Sequence, residues 1–209
     1  MKPLFIVLEG IDSSGKSTQA ELLYNYYLSI TQPVVVSPEP TNGPIGKFIR
    51  TILSQQVNLY QNNQSFDRQM SYLFAADRHY HVYNQNEGIL TLLRQKVTII
   101  STRYYFSSLA YHCQNPRDWE LVKSLNQEFP NPDLLIYLDI PLEICLTRLA
   151  ERATPEVYEN KHKLQQVKSN YQVIWREYQG LKLQLDATQS QEKIHQQIVE
   201  FIEKNLSSD

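Results

Sequence analysis

The chain has 209 residues, of which 42% are hydrophobic and 20% charged, and its formal net charge is −2 at pH 7. This length suffices for one substantial core, so we expect a single domain over residues 1–209. The slight negative charge argues against a nucleic-acid-binding surface, and no apolar run approaches the ~18 residues of a membrane span. Because the first predicted strand begins close to the N-terminus and the two cysteines show no pairing pattern, we expect a cytoplasmic protein.

Short apolar runs alternate along the chain with segments of helical periodicity. The runs predict strands at 5–8, 34–36, 97–100, 134–138 and 181–185. Helical spacing predicts helices at 18–30, 45–53, 66–84, 90–93, 105–112, 119–129, 142–153, 161–179 and 190–204. Strands separated by helices predict an α/β fold with a mainly parallel, five-stranded sheet flanked by helices. Ligands should then bind at the C-terminal ends of the strands.

Residues 10–17 form a complete phosphate-binding loop, G-x-x-x-x-G-K-[ST], between a predicted strand and a predicted helix. Its glycines allow backbone N–H groups to surround phosphate oxygens, and the helix N-terminus favours anions. We expect Lys16 to reach the β- and γ-phosphates and the Ser17 hydroxyl to bind Mg²⁺. The motif predicts binding of a nucleoside triphosphate, but it does not by itself distinguish a kinase from a GTPase or a motor ATPase.

Six segments resemble, in their order and spacing, those of the thymidylate kinase family. They are Phe5–Asp12, Glu39–Pro40, Leu73–Arg78, Arg103–Tyr111, Pro132–Asp139 and Asp186–Ala187. The resemblance covers essentially the whole chain and implies a three-layer P-loop kinase fold with a short lid segment at about residues 152–163. It also implies transfer of the γ-phosphoryl group of ATP to the 5′-phosphate of dTMP, with Mg²⁺ as cofactor, by a homodimer.

The resemblance assigns roles at the acceptor site. Phe74 would stack on thymine, and Arg78, one helical turn later on the same face, would donate to a thymine carbonyl. Asp12 would contact the sugar 3′-hydroxyl, and Tyr111 would lie beneath the deoxyribose and exclude a 2′-hydroxyl. The full set of expected acceptor-site residues is Asp12, Glu39, Phe74, Arg78, Arg103, Ser107, Ser108, Tyr111 and Tyr158.

Arg103 resembles the arginine that aligns the acceptor and donor phosphates, a task that suits the guanidinium group. Together with Lys16 and Asp12 it forms the expected catalytic set. On the ATP side, Arg152 would lie against adenine, and the loop at Asp186 would border the edge of the base. The expected ATP-binding residues are Gly10, Ile11, Asp12, Ser13, Ser14, Gly15, Lys16, Ser17, Thr18, Arg148, Arg152, Asp186 and Ala187.

The sequence departs from the family pattern at positions that matter for catalysis. Thr102 stands where relatives carry an aspartate that helps to anchor Mg²⁺, and Pro38 stands where many have arginine. Ser13 and Val157 occupy the two positions from which relatives supply a catalytic arginine. Charge for the transfer would then come from the lid, where Lys161, His162 and Lys163 are candidates.

These departures leave two alternatives to a dTMP kinase open. One is a kinase that acts on another nucleoside monophosphate or on a nucleoside, which Pro38 and Thr102 motivate. The other is a nucleotide-binding relative with little or no catalysis, which Ser13, Thr102 and Val157 motivate. A slow dTMP kinase is a third outcome, because arginine fingers contribute roughly 10³- to 10⁵-fold in related phosphoryl transfers.

Overall fold

The computed structural model describes residues 2–57, 63–150 and 157–206. Within them a sheet is formed by β1 (Phe5–Glu9), β2 (Val34–Val36), β3 (Thr98–Thr102), β4 (Leu134–Asp139) and β5 (Lys182–Asp186). The strand order is β2-β3-β1-β4-β5, and every neighbouring pair is parallel. The predicted parallel five-stranded sheet is therefore confirmed. The buried strands β1, β3 and β4 form its centre, where helices cover both faces, and β1 and β4 are apolar along most of their length.

Helices connect these strands and cover both faces of the sheet. Their bounds are α1 (Lys16–Ser29), α2 (Pro44–Leu53), α3 (Asn63–Tyr83), α4 (Ile89–Arg94), α5 (Tyr105–His112), α6 (Pro116–Asn126), α7 (Leu142–Ala150), α8 (Lys161–Glu177) and α9 (Gln191–Leu206). All nine predicted helices have a counterpart, with shifts of a few residues at their ends. Among the described residues, no helix combines the length and the apolar character needed to cross a membrane.

The start of α6 differs from the sequence prediction, which placed it at residue 119. The helix begins at Pro116 because the side chain of Asn115 accepts hydrogen bonds from the backbone N–H groups of Arg117 and Asp118, at 3.0 and 3.2 Å. Asparagine is a favoured N-cap and proline a favoured first helical residue. The capping signal therefore sets the boundary, three residues before the apolar periodicity begins.

The order of the strands reverses at β1. The chain passes from β1 to β2 on one side of the sheet, and from β3 to β4 across to the other side. In parallel α/β sheets such a reversal opens a crevice at the C-terminal ends of the strands, where ligands bind. Here those ends are Glu9 of β1, Thr102 of β3 and Asp139 of β4.

Candidate functional site

A cavity of about 1030 Å³ lies at this reversal of strand order. Its size is at the upper end of the range for small-molecule pockets. The cavity brings together most of the side chains singled out from the sequence. They are Asp12, Ser13, Ser14, Gly15, Lys16, Ser17, Thr18, Glu39, Phe74, Arg103, Ser107, Ser108, Tyr111, Arg148, Tyr158 and Ala187. Gly10, Ile11, Arg78 and Asp186 are not part of its lining, and Arg152 lies outside the described residues.

The phosphate-binding loop (the P-loop, residues 10–17) has a conformation that only particular residues permit. Gly10 has φ +147°, and a Cβ atom there would lie 2.6 Å from Ser14 Oγ and 2.7 Å from the carbonyl oxygen of Leu138. Glycine is therefore required at this position for two separate reasons. The loop ends where α1 begins, so the helix N-terminus points its free backbone N–H groups at the cavity.

Lys16 is held within the loop that it is expected to serve. Its Nζ donates to the carbonyl oxygens of Gly10 at 3.0 Å and Ile11 at 2.8 Å. Burial and, to a smaller extent, the positive charge of Arg103 lower the pKa of Lys16 to about 7, and the charge of Asp12 opposes that shift. Because phosphate groups favour a charged ammonium, this lysine is suited to gain a proton when a triphosphate binds.

Arg103 lies between the P-loop and the aromatic end of the cavity. Its guanidinium contacts the carboxylate of Asp12 and donates to Ser107 Oγ at 3.0 Å and to the Gly10 carbonyl at 3.3 Å. The Tyr111 hydroxyl donates to the other oxygen of Asp12 at 2.9 Å, and the guanidinium carbon lies 5.0 Å from the centre of the Tyr111 ring. The three residues expected at the sugar and phosphates therefore form one cluster.

Glu9 supports this cluster by hydrogen bonds to residues that neighbour it, a role that the sequence analysis does not identify. Its buried carboxylate accepts hydrogen bonds from the backbone N–H groups of Tyr104 at 2.8 Å and Ser107 at 3.1 Å, and from the hydroxyls of Ser107 at 2.6 Å and Tyr171 at 2.8 Å. Burial raises the pKa of Glu9, and the positive charge of Arg103 opposes that shift. The sequence contains one signal for this role, because a glutamate stands directly between the apolar run at 5–8 and the first P-loop glycine.

The end of the cavity at which the acceptor is expected, the acceptor end, is aromatic. Phe74 of α3 and Tyr111 of α5 line it, together with Tyr158, whose ring centre is 5.6 Å from that of Tyr111. Glu39 and Ser108 add polar atoms to the same wall. A flat ring with polar edges, such as a nucleobase, matches this combination of surfaces.

Arg78, expected to donate to thymine, lies behind the wall instead of in it. Its guanidinium is fully buried, donates to both oxygens of Glu39, and also contacts Asn126 and Ser108. His81 approaches the same carboxylate through Nδ1 at 3.0 Å. Arg78 thus contacts Glu39 and Ser108, which line the cavity, but it is not itself part of the lining. Its direct contact with the base stays a prediction.

Arg50 is a second residue that the sequence analysis missed. It lies on α2, lines the cavity and donates to the backbone carbonyls of Pro40 and Thr41. A half-buried arginine on the inner side of a helix places a positive charge at the acceptor end. The predicted helix at 45–53 contained this residue, but periodicity alone did not separate it from an ordinary exposed arginine.

On the donor side, Arg148 of α7 lines the cavity and donates to the carbonyl oxygen of Ser13 at 3.0 Å. Ala187 also lines the cavity. The carboxylate of Asp186 instead accepts hydrogen bonds from the backbone N–H and the hydroxyl of Thr188, in the turn that follows β5. Those bonds lower the pKa of Asp186. The donor end therefore combines the P-loop with one arginine from α7.

Two residues of the expected lid segment, Val157 and Lys163, make contacts outside the phosphate-binding loop. Val157 donates its backbone N–H to the carbonyl of Leu53 at 3.2 Å. Lys163 Nζ lies 2.6 Å from Asp67 Oδ2, which also accepts a hydrogen bond from Gln114 Nε2 at 2.6 Å. Lys163 is thus paired with a carboxylate away from the phosphate-binding loop.

No group of three or more His, Cys, Asp or Glu side chains suited to a metal ion occurs in the described ranges. The hydroxyl residues Ser17 and Thr102 both line the cavity. Two hydroxyls without a carboxylate cluster fit a cation held chiefly by nucleotide phosphates and water, which is the usual situation for Mg²⁺.

Comparison with known proteins places these features in a family. Residues 8–198 match the family model described as thymidylate kinase. The chain is 35% identical to a probable thymidylate kinase of Pyrococcus horikoshii over 207 residues, covering 99% of this chain and 98% of that protein. It is 31% identical to thymidylate kinase of Leptospira interrogans, with 99% and 97% covered.

A solved structure of thymidylate kinase from Candida albicans superposes on the chain with a TM-score of 0.76 and 26% identity, covering 98% of this chain and 92% of that one. The fold and the P-loop agree with this relationship. The chain belongs to the thymidylate kinase family.

Proposed function

We propose that this protein transfers the γ-phosphoryl group of ATP to the 5′-phosphate of dTMP. The observation that carries the proposal is a single cavity in which a P-loop faces an aromatic acceptor end, with Arg103 between them. Phosphoryl transfer requires that the two substrates be aligned and that the charge on the transferred group be balanced. The cavity supplies a binding surface for each substrate and cations along their boundary.

ATP binds with its phosphates in the P-loop. The backbone N–H groups at the start of α1 and the ammonium of Lys16 balance the charge of the β- and γ-phosphates. Arg148 stands beside Ser13 and contributes a further positive charge from α7. Arg152 is proposed to lie against adenine, as the family resemblance implies, with Ala187 bordering the base.

dTMP occupies the acceptor end. Phe74 stacks on the base, and the Asp12 carboxylate, oriented by Tyr111, accepts from the 3′-hydroxyl of the sugar. Arg103 and Arg50 bind the 5′-phosphate and hold it in line with the γ-phosphate, a task for which the bidentate guanidinium is suited. A near-attack arrangement of this kind accounts for much of the rate in such reactions.

Mg²⁺ accompanies ATP and supplies charge neutralisation at the phosphate oxygens. Ser17 would hold it, with Thr102 as the second hydroxyl on the same wall. Because Thr102 cannot supply the charge of a carboxylate, the phosphates and water would provide most of the ligands of Mg²⁺. We therefore expect this protein to bind Mg²⁺ with lower affinity than relatives that have aspartate at position 102.

We further propose a cytoplasmic homodimer. Phe48 on α2 and Tyr72 on α3 are 44% and 43% exposed, although both are large and apolar, and the two helices pack against each other. A second copy of the chain would cover these side chains. Sedimentation of the purified protein should therefore give a mass near twice the 24.5 kDa of one chain.

The test is a coupled assay for ADP with ATP, Mg²⁺ and a panel of nucleoside monophosphates. Turnover with dTMP at the highest kcat/KM is the expected result. Preferred turnover of another nucleotide would overturn the substrate assignment. Thermal stabilisation by ATP and dTMP without turnover would identify a binding protein, and Thr102→Asp combined with Val157→Arg should then create activity.

A further inference from the structure

Arg103 has a backbone conformation that its surroundings must support. Its φ is +74°, in the left-handed region that residues other than glycine rarely adopt. Four other non-glycine residues of the described ranges have a positive φ, and one of them, Ser13, belongs to the P-loop. The other three directly follow the C-caps of α1, α2 and α4, where this conformation is usual: Thr31, Gln55 and Lys96. Arg103 follows the strand β3 instead, so no helix end explains its conformation.

Hydrogen bonds hold the backbone on both sides of this residue. The N–H of Arg103 donates to the carbonyl oxygen of Leu8 on β1 at 2.9 Å. The peptide unit that follows is held at both of its polar atoms. The Arg103 carbonyl oxygen accepts from Ser101 Oγ at 2.8 Å, and the Tyr104 N–H donates to the Glu9 carboxylate at 2.8 Å. Because the Arg103 N–H is fixed on β1, a change in the φ of Arg103 would move this peptide unit and break both bonds.

Ser101 acts on Arg103 more selectively than Glu9 does. Ser101 is fully buried on β3, does not line the cavity, and donates its hydroxyl to the carbonyl of Arg103, two residues later. The Glu9 carboxylate also accepts hydrogen bonds from Ser107 and Tyr171. A change at Glu9 would therefore disturb several parts of the site, whereas removal of the Ser101 hydroxyl removes one support of the Arg103 backbone.

The direction of the Arg103 guanidinium depends on this backbone. The side chain leaves the turn between β3 and α5, contacts Asp12, and donates to Ser107 Oγ at 3.0 Å and to the Gly10 carbonyl at 3.3 Å. These partners belong to the P-loop and to α5, so the guanidinium joins two elements at the boundary between the expected substrates. In phosphoryl transfer, a misplacement of about 1 Å can cost about 10²-fold in rate.

We propose that Ser101 is a positioning residue for phosphoryl transfer. Through its hydrogen bond to the Arg103 carbonyl it holds, together with Glu9, the left-handed conformation that directs the guanidinium at the boundary between the two substrates. This inference rests on the proposed function, because it takes Arg103 as the residue that aligns the two phosphates. Ser101 itself contacts neither substrate.

A double-mutant cycle with Ser101→Ala and Arg103→Met tests whether Ser101 acts through Arg103. Ser101→Ala removes one hydroxyl, so kcat for dTMP should fall by about 10- to 100-fold, while the KM of ATP stays within about twofold of wild type. In Arg103→Met the direction of the guanidinium no longer matters, so adding Ser101→Ala should change kcat by less than about twofold. Equal losses of kcat from Ser101→Ala in the two backgrounds would overturn the proposal.

Ser71→Ala is the matched control. Ser71 on α3 is also buried, its hydroxyl donates to the carbonyl oxygen of Arg68 at 2.7 Å, and it does not line the cavity. Each alanine variant loses one buried hydrogen bond, so both should melt at a lower temperature than wild type. We expect kcat to fall in Ser101→Ala and to stay at the wild-type value in Ser71→Ala. Equal losses of kcat in the two variants would indicate general destabilisation and contradict the positioning role.

Binding of the acceptor gives a readout that does not depend on turnover. Since Arg103 is proposed to bind the 5′-phosphate, Ser101→Ala should raise the Kd of dTMP, measured by calorimetry, by about three- to tenfold. In the Arg103→Met background the same substitution should leave that Kd within about twofold. An unchanged Kd in the Ser101→Ala single variant would contradict the positioning role.

The two proposals can fail independently in these experiments. A wild type that binds dTMP with this dependence on Ser101 but does not phosphorylate it contradicts only the proposed function. Preferred turnover of another nucleotide contradicts only the dTMP assignment, and the cycle is then measured with that nucleotide. A wild type that phosphorylates dTMP, with an unchanged kcat in Ser101→Ala, contradicts only the role of Ser101.

Discussion

Arg78 and Glu39 form a fully buried ion pair directly behind the acceptor end of the cavity, with side-chain exposures of 1% each. The pair joins α3 to the loop after β2, and Asn126 and His81 complete its hydrogen bonds. A buried pair of this kind adds little net stability over apolar residues, but breaking it leaves a buried charge without a partner. Its effect here is to fix the Glu39 side chain in the cavity wall.

Replacing one member of this pair should therefore be costly. We expect Arg78→Met to lower the free energy of unfolding by about 3–5 kcal/mol, as measured by chemical denaturation. Lys123→Met, which breaks the exposed pair with Glu177, is the matched control and should cost less than about 1 kcal/mol. Equal effects of the two substitutions would show that the buried charge of Glu39 is tolerated.

Arg103→Lys should separate charge from geometry at the boundary between the two substrates. Lysine keeps the positive charge but loses the fork that contacts Asp12, Ser107 and the Gly10 carbonyl. We expect kcat for dTMP to fall by about 10²- to 10³-fold, the scale of removing one oriented donor to a transition state. Arg117→Lys, at an exposed position on α6, should leave kcat unchanged; a comparable kcat in the two variants would rule out the aligning role.

Lys16 should couple ATP binding to proton uptake. In the free protein its pKa is about 7, so at pH 8 most of the ammonium has lost its proton, and the phosphates of bound ATP raise that pKa again. Binding at pH 8 should take up close to one proton, and ATP affinity should weaken as the pH rises above about 7. Calorimetry in two buffers of different ionisation enthalpy measures the uptake, which Lys16→Met should abolish.

Gly10→Ala should disable the phosphate-binding loop. The added Cβ would lie 2.7 Å from the backbone oxygen of Leu138, at a φ of +147° that L-residues rarely adopt. Strain of about 1–3 kcal/mol corresponds to a loss of roughly tenfold or more in ATP affinity if the loop shifts to relieve it. Gly180→Ala, whose added Cβ meets only the side chain of Tyr178, should retain ATP affinity. Unchanged ATP binding by Gly10→Ala would contradict the close approach.

Much of the fold follows from local sequence. The runs at 5–8 and 134–138 are apolar throughout, which is typical of strands covered on both faces, and the P-loop motif fixes the turn between β1 and α1. The family resemblance added the aromatic acceptor residues and Arg103. The start of α6 is set by the side chain of Asn115, which caps the helix. An apolar pattern gives no information about such a hydrogen bond, so it does not predict where the helix starts.

The remaining site residues depend on contacts between distant parts of the chain. Glu9 is paired with Ser107, 98 positions away, and Arg78 with Glu39, 39 positions away. Local periodicity carries no information about such pairs, so it does not identify Glu9 or Arg50 as site residues. The contact of Arg78 with the base, which the family resemblance implies, stays a prediction.

Asp67 connects α3 to α8 and to the loop between α5 and α6 through one carboxylate oxygen, because both Lys163 of α8 and Gln114 of that loop approach its Oδ2. Detachment of either α8 or this loop would remove one partner of the buried carboxylate and weaken the contact that remains. We therefore expect this corner to release as a unit, in a single cooperative event. Amide hydrogens near the two contacts should then exchange with solvent at matching rates, which hydrogen exchange on the whole chain would measure.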